Sequence, residues 1–271
     1  MTVMNKQKNR DIIRVLAIDI GNSTLSYGFF QSKKLVKTGF FSIVDIRNYI
    51  IPKLFNNIIE NGANSNSLQV IISSVVPEIT KKVIALIKKS DQLISVYVIG
   101  QNVCLSVPMK YNRKNIGADR IVNIYGGLKL YRQPFLMIDF GTAITFDYVS
   151  KKGVFEGGLI VPGVHLSFNA LKNQAALIPD FKQLQAVRSL IGHDTKAALS
   201  SGLLNGFGAL ADGLISRFHS WYGKMTVIGT GGFVTKIKPY VTGFDIIDPL
   251  HTIRSLEIIY QNEVSKKEEI L

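Results

Sequence analysis

Two acidic glycine turns constrain this chain more than any other feature: Asp19-Ile-Gly-Asn-Ser and Asp139-Phe-Gly-Thr-Ala, each closing a short apolar run. Val15-Leu-Ala-Ile-Asp19 halts at the first turn and resumes as Leu25 to Phe30; Phe135-Leu-Met-Ile-Asp139 halts at the second and resumes as Ile144 to Val149. Both read as strand, glycine turn, strand, a supersecondary unit used twice. A carboxylate at the end of a buried strand is held rigidly, and glycine two residues later lets the backbone approach a ligand closely. In Asp19, Ile20, Gly21, Asn22, Ser23 and Thr24, the amides and polar side chains offer a row of donors to phosphate oxygens. Asp19 suits Mg²⁺ held through water, since Mg²⁺ sheds its hydration shell reluctantly. One copy reads equally well as a tight hairpin whose Asp and Asn satisfy turn amides. Two copies in corresponding positions predict the two halves of one ATP-phosphate site, with the Thr142 hydroxyl on a phosphate oxygen and Asp139 placed to hold a cation.

Neither of the common glycine-rich phosphate loops occurs in the sequence. There is no GxxxxGK[ST] loop, and no GxGxxG follows a strand. Gly229-Thr-Gly-Gly232 is a third glycine turn after a strand, weak by itself because any strand exit can carry glycines.

Between and after the hairpins, apolar patterning predicts an α/β chain. Leu35 to Phe41 reads as a strand, Val44 to Ile58 as a helix stopped by Asn61-Gly62, and Leu68 to Val76 as a buried strand. Glu78 to Lys89 reads as an amphipathic helix and Ile94 to Ile99 as a strand. Thr195 to Tyr222 reads as one long or broken helix, followed by a strand at Thr226, a closing strand at Phe244 to Ile247, a helix from His251 to Glu263, and a frayed tail at Ser265 to Glu269. The repeated strand, glycine turn, strand unit predicts two lobes, the first around residues 1–130 and the second from about 131 onward.

Composition narrows the setting. At 271 residues and 46% hydrophobic content the chain can bury a substantial core. No uncharged stretch is long enough for a membrane span, and the Lys/Arg-rich start leads into too short an apolar run for a secretory signal, so a cytoplasmic protein is expected. The single cysteine, Cys104, excludes an intrachain disulfide. Its neighbours Val103 and Leu105 suggest a buried strand. The net charge of +13 could serve nucleic acid or an anionic small substrate. Basic residues are spread along the chain without interleaved aromatics, which favours a solvated surface over a nucleic-acid partner.

One further segment carries chemistry. Asn115-Ile-Gly117-Ala118-Asp119-Arg120 opens an amphipathic stretch and sits at a helix start. Asp119 can be an ordinary first-turn acid favoured by the helix dipole, and Arg120 a surface ion-pair partner. In the functional reading, Asp119 accepts a proton from an attacking hydroxyl while Arg120 binds an anionic part of the acceptor. Phosphoryl transfer needs such positioning more than covalent chemistry.

Taken in order, Asp19-Ile-Gly-Asn-Ser, Gly117-Ala-Asp-Arg120, Asp139-Phe-Gly-Thr-Ala-Ile-Thr145, Gly157-Gly-Leu-Ile-Val-Pro-Gly163, Gly192-His-Asp-Thr195 and Gly229-Thr-Gly-Gly232 resemble the type III pantothenate kinases over about residues 14 to 260. The two acidic turns are shared by the wider superfamily of acetate and sugar kinases, heat-shock chaperones and actin, and so imply an α/β fold of two actin-like (ribonuclease H-like) lobes with an ATP cleft between them, the last helix packing back on the first lobe. The Gly-Ala-Asp-Arg and Pro-Gly segments carry the narrower likeness. The resemblance implies ATP contacts at Asp19, Ile20, Gly21, Asn22, Ser23, Thr24, Leu25, Ser26 and Thr142, and K⁺ or NH₄⁺ at Asp139. It implies pantothenate contacts at Tyr111, Gly117, Ala118, Asp119, Arg120 and Thr195, with Asp119 as general base, and a homodimer whose acceptor site involves the interface. The first turn has Ser23 where threonine is usual, keeping the hydroxyl. Tyr111 aligns only with a one-residue deletion, Ala175 stands where threonine is common, and Thr195 could instead be the cap of the long helix. Two rivals remain: a nucleotide-binding regulator of this fold without turnover, and a kinase for another small hydroxyl substrate.

Overall fold

The computed structural model describes residues 13–48, 68–89, 94–174, 184–187 and 189–268. The helix expected beyond Asn48 to Gly62, Ala175 and Glu269 lie outside them. The chain divides into two compact units, Met1–Cys104 with Leu256–Leu271, and Leu105–Ser255.

The first unit is built on five strands: β1 (Arg14–Ile20), β2 (Thr24–Gln31), β3 (Lys34–Ser42), β4 (Leu68–Ser74) and β5 (Ile94–Val98). They lie in the order β3-β2-β1-β4-β5. β1 is central, antiparallel to β2 and parallel to β4. A strand covered on both faces must be apolar at consecutive positions, and Val15 to Ile18 are all essentially inaccessible. Helices α1 (Ile43–Asn48) and α2 (Pro77–Ile87) follow β3 and β4, and α2 turns Ile79, Val83 and Ile87 into the core with the sheet residues Leu16, Ile18 and Val70.

The second unit repeats the plan. Its strands are β6 (Phe135–Phe140), β7 (Ala143–Val149), β8 (Phe155–Pro162), β9 (Thr226–Thr230) and β10 (Ile246–Ile247), in the order β10-β9-β6-β7-β8. Again the first strand is central, antiparallel to the next and parallel to the fourth. This is the same topology, read from the other edge. Of the expected Phe244 to Ile247 strand, only Ile246 and Ile247 pair with β9. Its longer helices are α3 (Ala118–Leu130), α4 (Val164–Gln174), α5 (Thr195–Tyr222) and the start of α6 (His251–Ile259). The expected break at 130/131 would place α3 with the first lobe, whereas α3 lies inside the second unit, and the division falls within α6.

Both turns have the same internal logic, with one difference in length. Gly21 N–H donates to Thr24 O at 2.9 Å, and Gly141 N–H donates to Ala143 O at 3.1 Å, so the second turn is a residue tighter. A carbonyl in each turn anchors the chain returning after the third strand: Ser23 O accepts from Ile43 N–H and Thr142 O from Gly163 N–H, both at 2.9 Å.

Two expectations are corrected, and two alternatives left open for the long helix are decided. Cys104 is exposed and not in a buried strand. The extended segment alternates, burying Val103, Leu105 and Val107 and turning position 104 outward. α5 is unbroken, and its N-cap is Asp194, whose Oδ1 accepts from Ala197 N–H at 2.8 Å; Thr195 is the first helical residue. The segment expected to fray continues α6 through a wider π-type turn, Tyr260–Val264, into a helical turn at Ser265–Glu268. Among the described residues no helix is long and apolar enough to cross a membrane.

Candidate active site

α3 begins at Gly117, an N-cap without a side chain to offer, so the first-turn polar groups come from Asp119. Its Oδ1 accepts the Arg120 backbone N–H at 2.8 Å. A carboxylate here is favoured by the positive end of the helix dipole. Asp119 and Asn123 are four residues apart and share one face.

Arg120 is 6% exposed and engages Asp147 in the middle of β7, itself 1% exposed. Nε donates to Asp147 Oδ1 and Oδ2 at 3.1 and 3.2 Å, and Nη2 completes the ion pair on Oδ1. Nη1 faces the Tyr111 hydroxyl at 3.4 Å, and the guanidinium carbon lies 5.0 Å from the Tyr111 ring centroid and 5.7 Å from that of Phe155. The structure thus brings the predicted residues Tyr111, Asp119 and Arg120 together. Burial pushes the Asp147 carboxyl above the usual carboxylate range, against the pull of Arg120. Burial also works against the Arg120 charge, but the hydrogen bonds and field of Asp147 and then Tyr111 outweigh it and hold the guanidinium protonated.

Asp147 escaped the sequence reading. The available signal was an acid in the apolar run Ile144-Thr-Phe-Asp-Tyr-Val149, since a carboxylate on a buried strand needs a partner. Gly158, its register partner on β8, makes room for the pair. A Cβ there would overlap the Phe146 carbonyl oxygen and stand 2.6 Å from Asp147 Oδ1 and 3.0 Å from Arg120 Nη2. Gly158 therefore has a steric cause, and Gly157 a backbone one, its φ being +134°.

Asp139, at the end of β6, accepts at Oδ2 from Asn123 Nδ2 at 2.9 Å. The third glycine turn closes against it. Gly231 has φ +94°, and a Cβ on it would overlap Asp139 Oδ1 and lie 2.7 Å from the Phe140 N and O. Beside Asp139 in register is Thr230, fully buried, whose hydroxyl has no hydrogen-bond partner. The first unit shows the same device: Ser73, fully buried and with an unpartnered hydroxyl, is the register neighbour of Asp19 on β4. Asn22, Ser23 and Thr24 are exposed on that turn.

These donor sets are all oxygen: a carboxylate, a buried hydroxyl and nearby carbonyls, which fits a hard cation. Among the described residues no cluster of three or more His, Cys, Asp or Glu could hold a metal. A cation at either turn would therefore draw most of its ligands from water, phosphate and main chain. Thr142 is half-buried in the second turn, and Thr195 is exposed and shares none of the contacts that join Tyr111, Arg120 and Asp147.

The model of the type III pantothenate kinases matches residues 15–217 of this sequence. The chain belongs to the type III pantothenate kinase family. Type III pantothenate kinases of Citrifermentans bemidjiense and Moorella thermoacetica are each 35% identical to this family member, over 255 and 257 residues, covering 91% of this chain and 98% of theirs. Among solved structures, a conserved protein of Campylobacter jejuni described as a Baf family transcriptional activator superposes with TM-score 0.58 at 18% identity, covering 94% of this pantothenate kinase family chain and 100% of its own. A protein of Sinorhizobium meliloti described as a 2-dehydro-3-deoxygalactonokinase gives TM-score 0.53 at 11% identity, covering 91% and 96%. At those identities the likeness speaks to the fold alone, and it agrees with the duplicated α/β architecture expected from the two turns.

Proposed function

We propose that this chain transfers the γ-phosphoryl group of ATP to the 4′-hydroxyl of pantothenate, giving 4′-phosphopantothenate and ADP, the first committed step toward coenzyme A. Family membership supports the substrates. The observation that carries the chemistry is the start of α3, where Asp119 sits in the first turn while its neighbour Arg120 is fixed against Asp147 and Tyr111.

In this reading Asp119 takes the hydroxyl proton as the oxygen bonds to the γ-phosphorus and the bond to the β,γ-bridging oxygen breaks, leaving with ADP. Tyr111, Gly117, Ala118, Arg120 and Thr195 contact pantothenate. Arg120, held by Asp147, contributes a fixed positive charge rather than a mobile clamp. Asp19 to Ser26 and Thr142 contact ATP, with turn amides on the phosphate oxygens. Asp19 would hold Mg²⁺ through water and Asp139 would hold K⁺ or NH₄⁺; such cations offset phosphate charge. ATP is supplied in the cytoplasm, the compartment we assign.

We also assign a homodimer. β8 is an edge strand with Leu159 and Ile160 exposed, and the following α4 exposes Leu166 and Leu171. An edge and helix of this character invite a second copy.

A coupled assay of ADP formation, with and without pantothenate and with K⁺ or Na⁺ as the monovalent salt, tests the reading. Turnover that requires both pantothenate and K⁺ is expected. Turnover with another hydroxyl compound but none with pantothenate would overturn it, as would salt-sensitive DNA binding with no ATP consumption.

A further inference from the structure

Asn123 is 1% exposed on α3, and both ends of its side chain are engaged. Nδ2 donates to Asp139 Oδ2 at 2.9 Å, and Oδ1 accepts from Thr252 Oγ1 at 2.8 Å. An ionised carboxylate only accepts, so the amide nitrogen must face Asp139 and the amide oxygen must face Thr252. The main chain of Asn123 is gripped as well. Its carbonyl lies 2.9 Å from His251 Nε2, which must therefore carry the hydrogen, because a carbonyl can only accept.

Both contacts come from the first turn of α6, and sequence explains how that turn gets so close. Gly126 faces Ser255, where a Cβ would overlap the Ser255 hydroxyl. The loop before α6 is tied to the far end of α3, where the Tyr131 hydroxyl donates to Asp248 Oδ2 at 2.7 Å. Asp248 also pairs with Arg254. The start of α6 is thus fastened along the length of α3, with Thr252 aimed at the residue that holds Asp139.

We infer that Thr252 is a positioning residue for phosphoryl transfer: acting through Asn123, it fixes the orientation in which the Asp139 carboxylate meets its cation. The inference rests on the reading of Asp139 as a monovalent-cation site, and Thr252 itself touches neither substrate nor the proton acceptor Asp119. Removing its hydroxyl leaves the Asn123 oxygen buried without a donor, and the amide then rotates or shifts away from Asp139. An ordinary hydrogen bond contributes a factor of about two to ten in an equilibrium constant, which sets the size of the expected effect.

The test compares the full-length wild type with Thr252→Val and Thr252→Ser. Two readouts are taken against K⁺ concentration: the rate of ADP formation, and the melting temperature of the enzyme without substrates. Thr252→Val is expected to need about two- to tenfold more K⁺ for half-maximal rate and half-maximal stabilisation, with the KM for pantothenate unchanged. Thr252→Ser keeps the hydroxyl and is expected to match the wild type. An unchanged K⁺ response in Thr252→Val, or a fall in kcat alone that Ser fails to restore, overturns the inference. A crystal structure of Thr252→Val separates this from the reading it rests on. Loss of the Asn123–Asp139 contact supports the positioning role and its retention overturns it, whereas a wild type indifferent to K⁺ removes the cation from Asp139.

Discussion

Arg120 is fixed on the carboxylate of Asp147, Nε against both oxygens and Nη2 against Oδ1, in a space that exists because Gly158 carries no side chain. Adjacent residues of one helical turn therefore have separate tasks. Asp119 keeps a half-buried carboxylate at the helix start, and Arg120 is committed to the neighbouring strand.

Arg120→Met leaves Asp147 buried without its partner. A loss of about 3–5 kcal/mol in unfolding free energy is expected, read by urea denaturation. The double variant Arg120→Met with Asp147→Leu should recover much of that stability while staying inactive, because apolar replacement of both partners removes the unpaired charge.

Asp119→Asn removes the proton acceptor and leaves its shape. We expect kcat to fall by about 10²–10⁴ with ATP affinity within a few-fold of wild type, measured by coupled assay and calorimetry. A kcat near wild type with ATP still bound would remove Asp119 from the role of base.

Gly158→Ala places a methyl group against the Phe146 carbonyl and the Asp147 carboxylate, and neither is the far end of a flexible chain. A destabilisation of about 1–3 kcal/mol is expected. Because the pair it disturbs carries Arg120, the KM for pantothenate should rise too, and steady-state kinetics on the folded fraction would show it.

How much of this was legible in the sequence depended on the kind of signal. Asp19 and Asp139 could be read because a carboxylate closing an apolar run breaks the pattern locally, and the second copy removed the ambiguity of the first. The Asp119–Arg120 pair was visible as a helix start. Asp147 was not, since its meaning depends on Arg120, a residue 27 positions away in the chain. Asn123 and Thr252 were hidden for the same reason, as polar residues whose partners come from another element. The exposure of Cys104 was readable from the alternation of Val103, Leu105 and Val107, but the apolar neighbours on either side masked it.

Asp248 makes stability depend on pH in a stated direction. Burial opposes its charge, but the adjacent His251 and the hydrogen bonds of Arg254 and Tyr131 prevail and hold its carboxyl well below the usual carboxylate range. A depressed folded-state pKa stabilises the fold above the unfolded value, about 3.9, and that contribution is lost as pH falls below it. Asp248→Asn should therefore lower the melting temperature at pH 7, and its difference from wild type should shrink progressively below about pH 4.

The placement of α6 bears on how the chain is made. The first unit needs Leu256–Leu271 as well as Met1–Cys104, and Leu256 and Ile259 are fully buried. Everything in Leu105–Ser255 is synthesised in the interval. A nascent chain that has reached Ser255 thus holds all of its later unit and only part of its earlier one. The first unit therefore begins to leave the ribosome before the second and is completed after it.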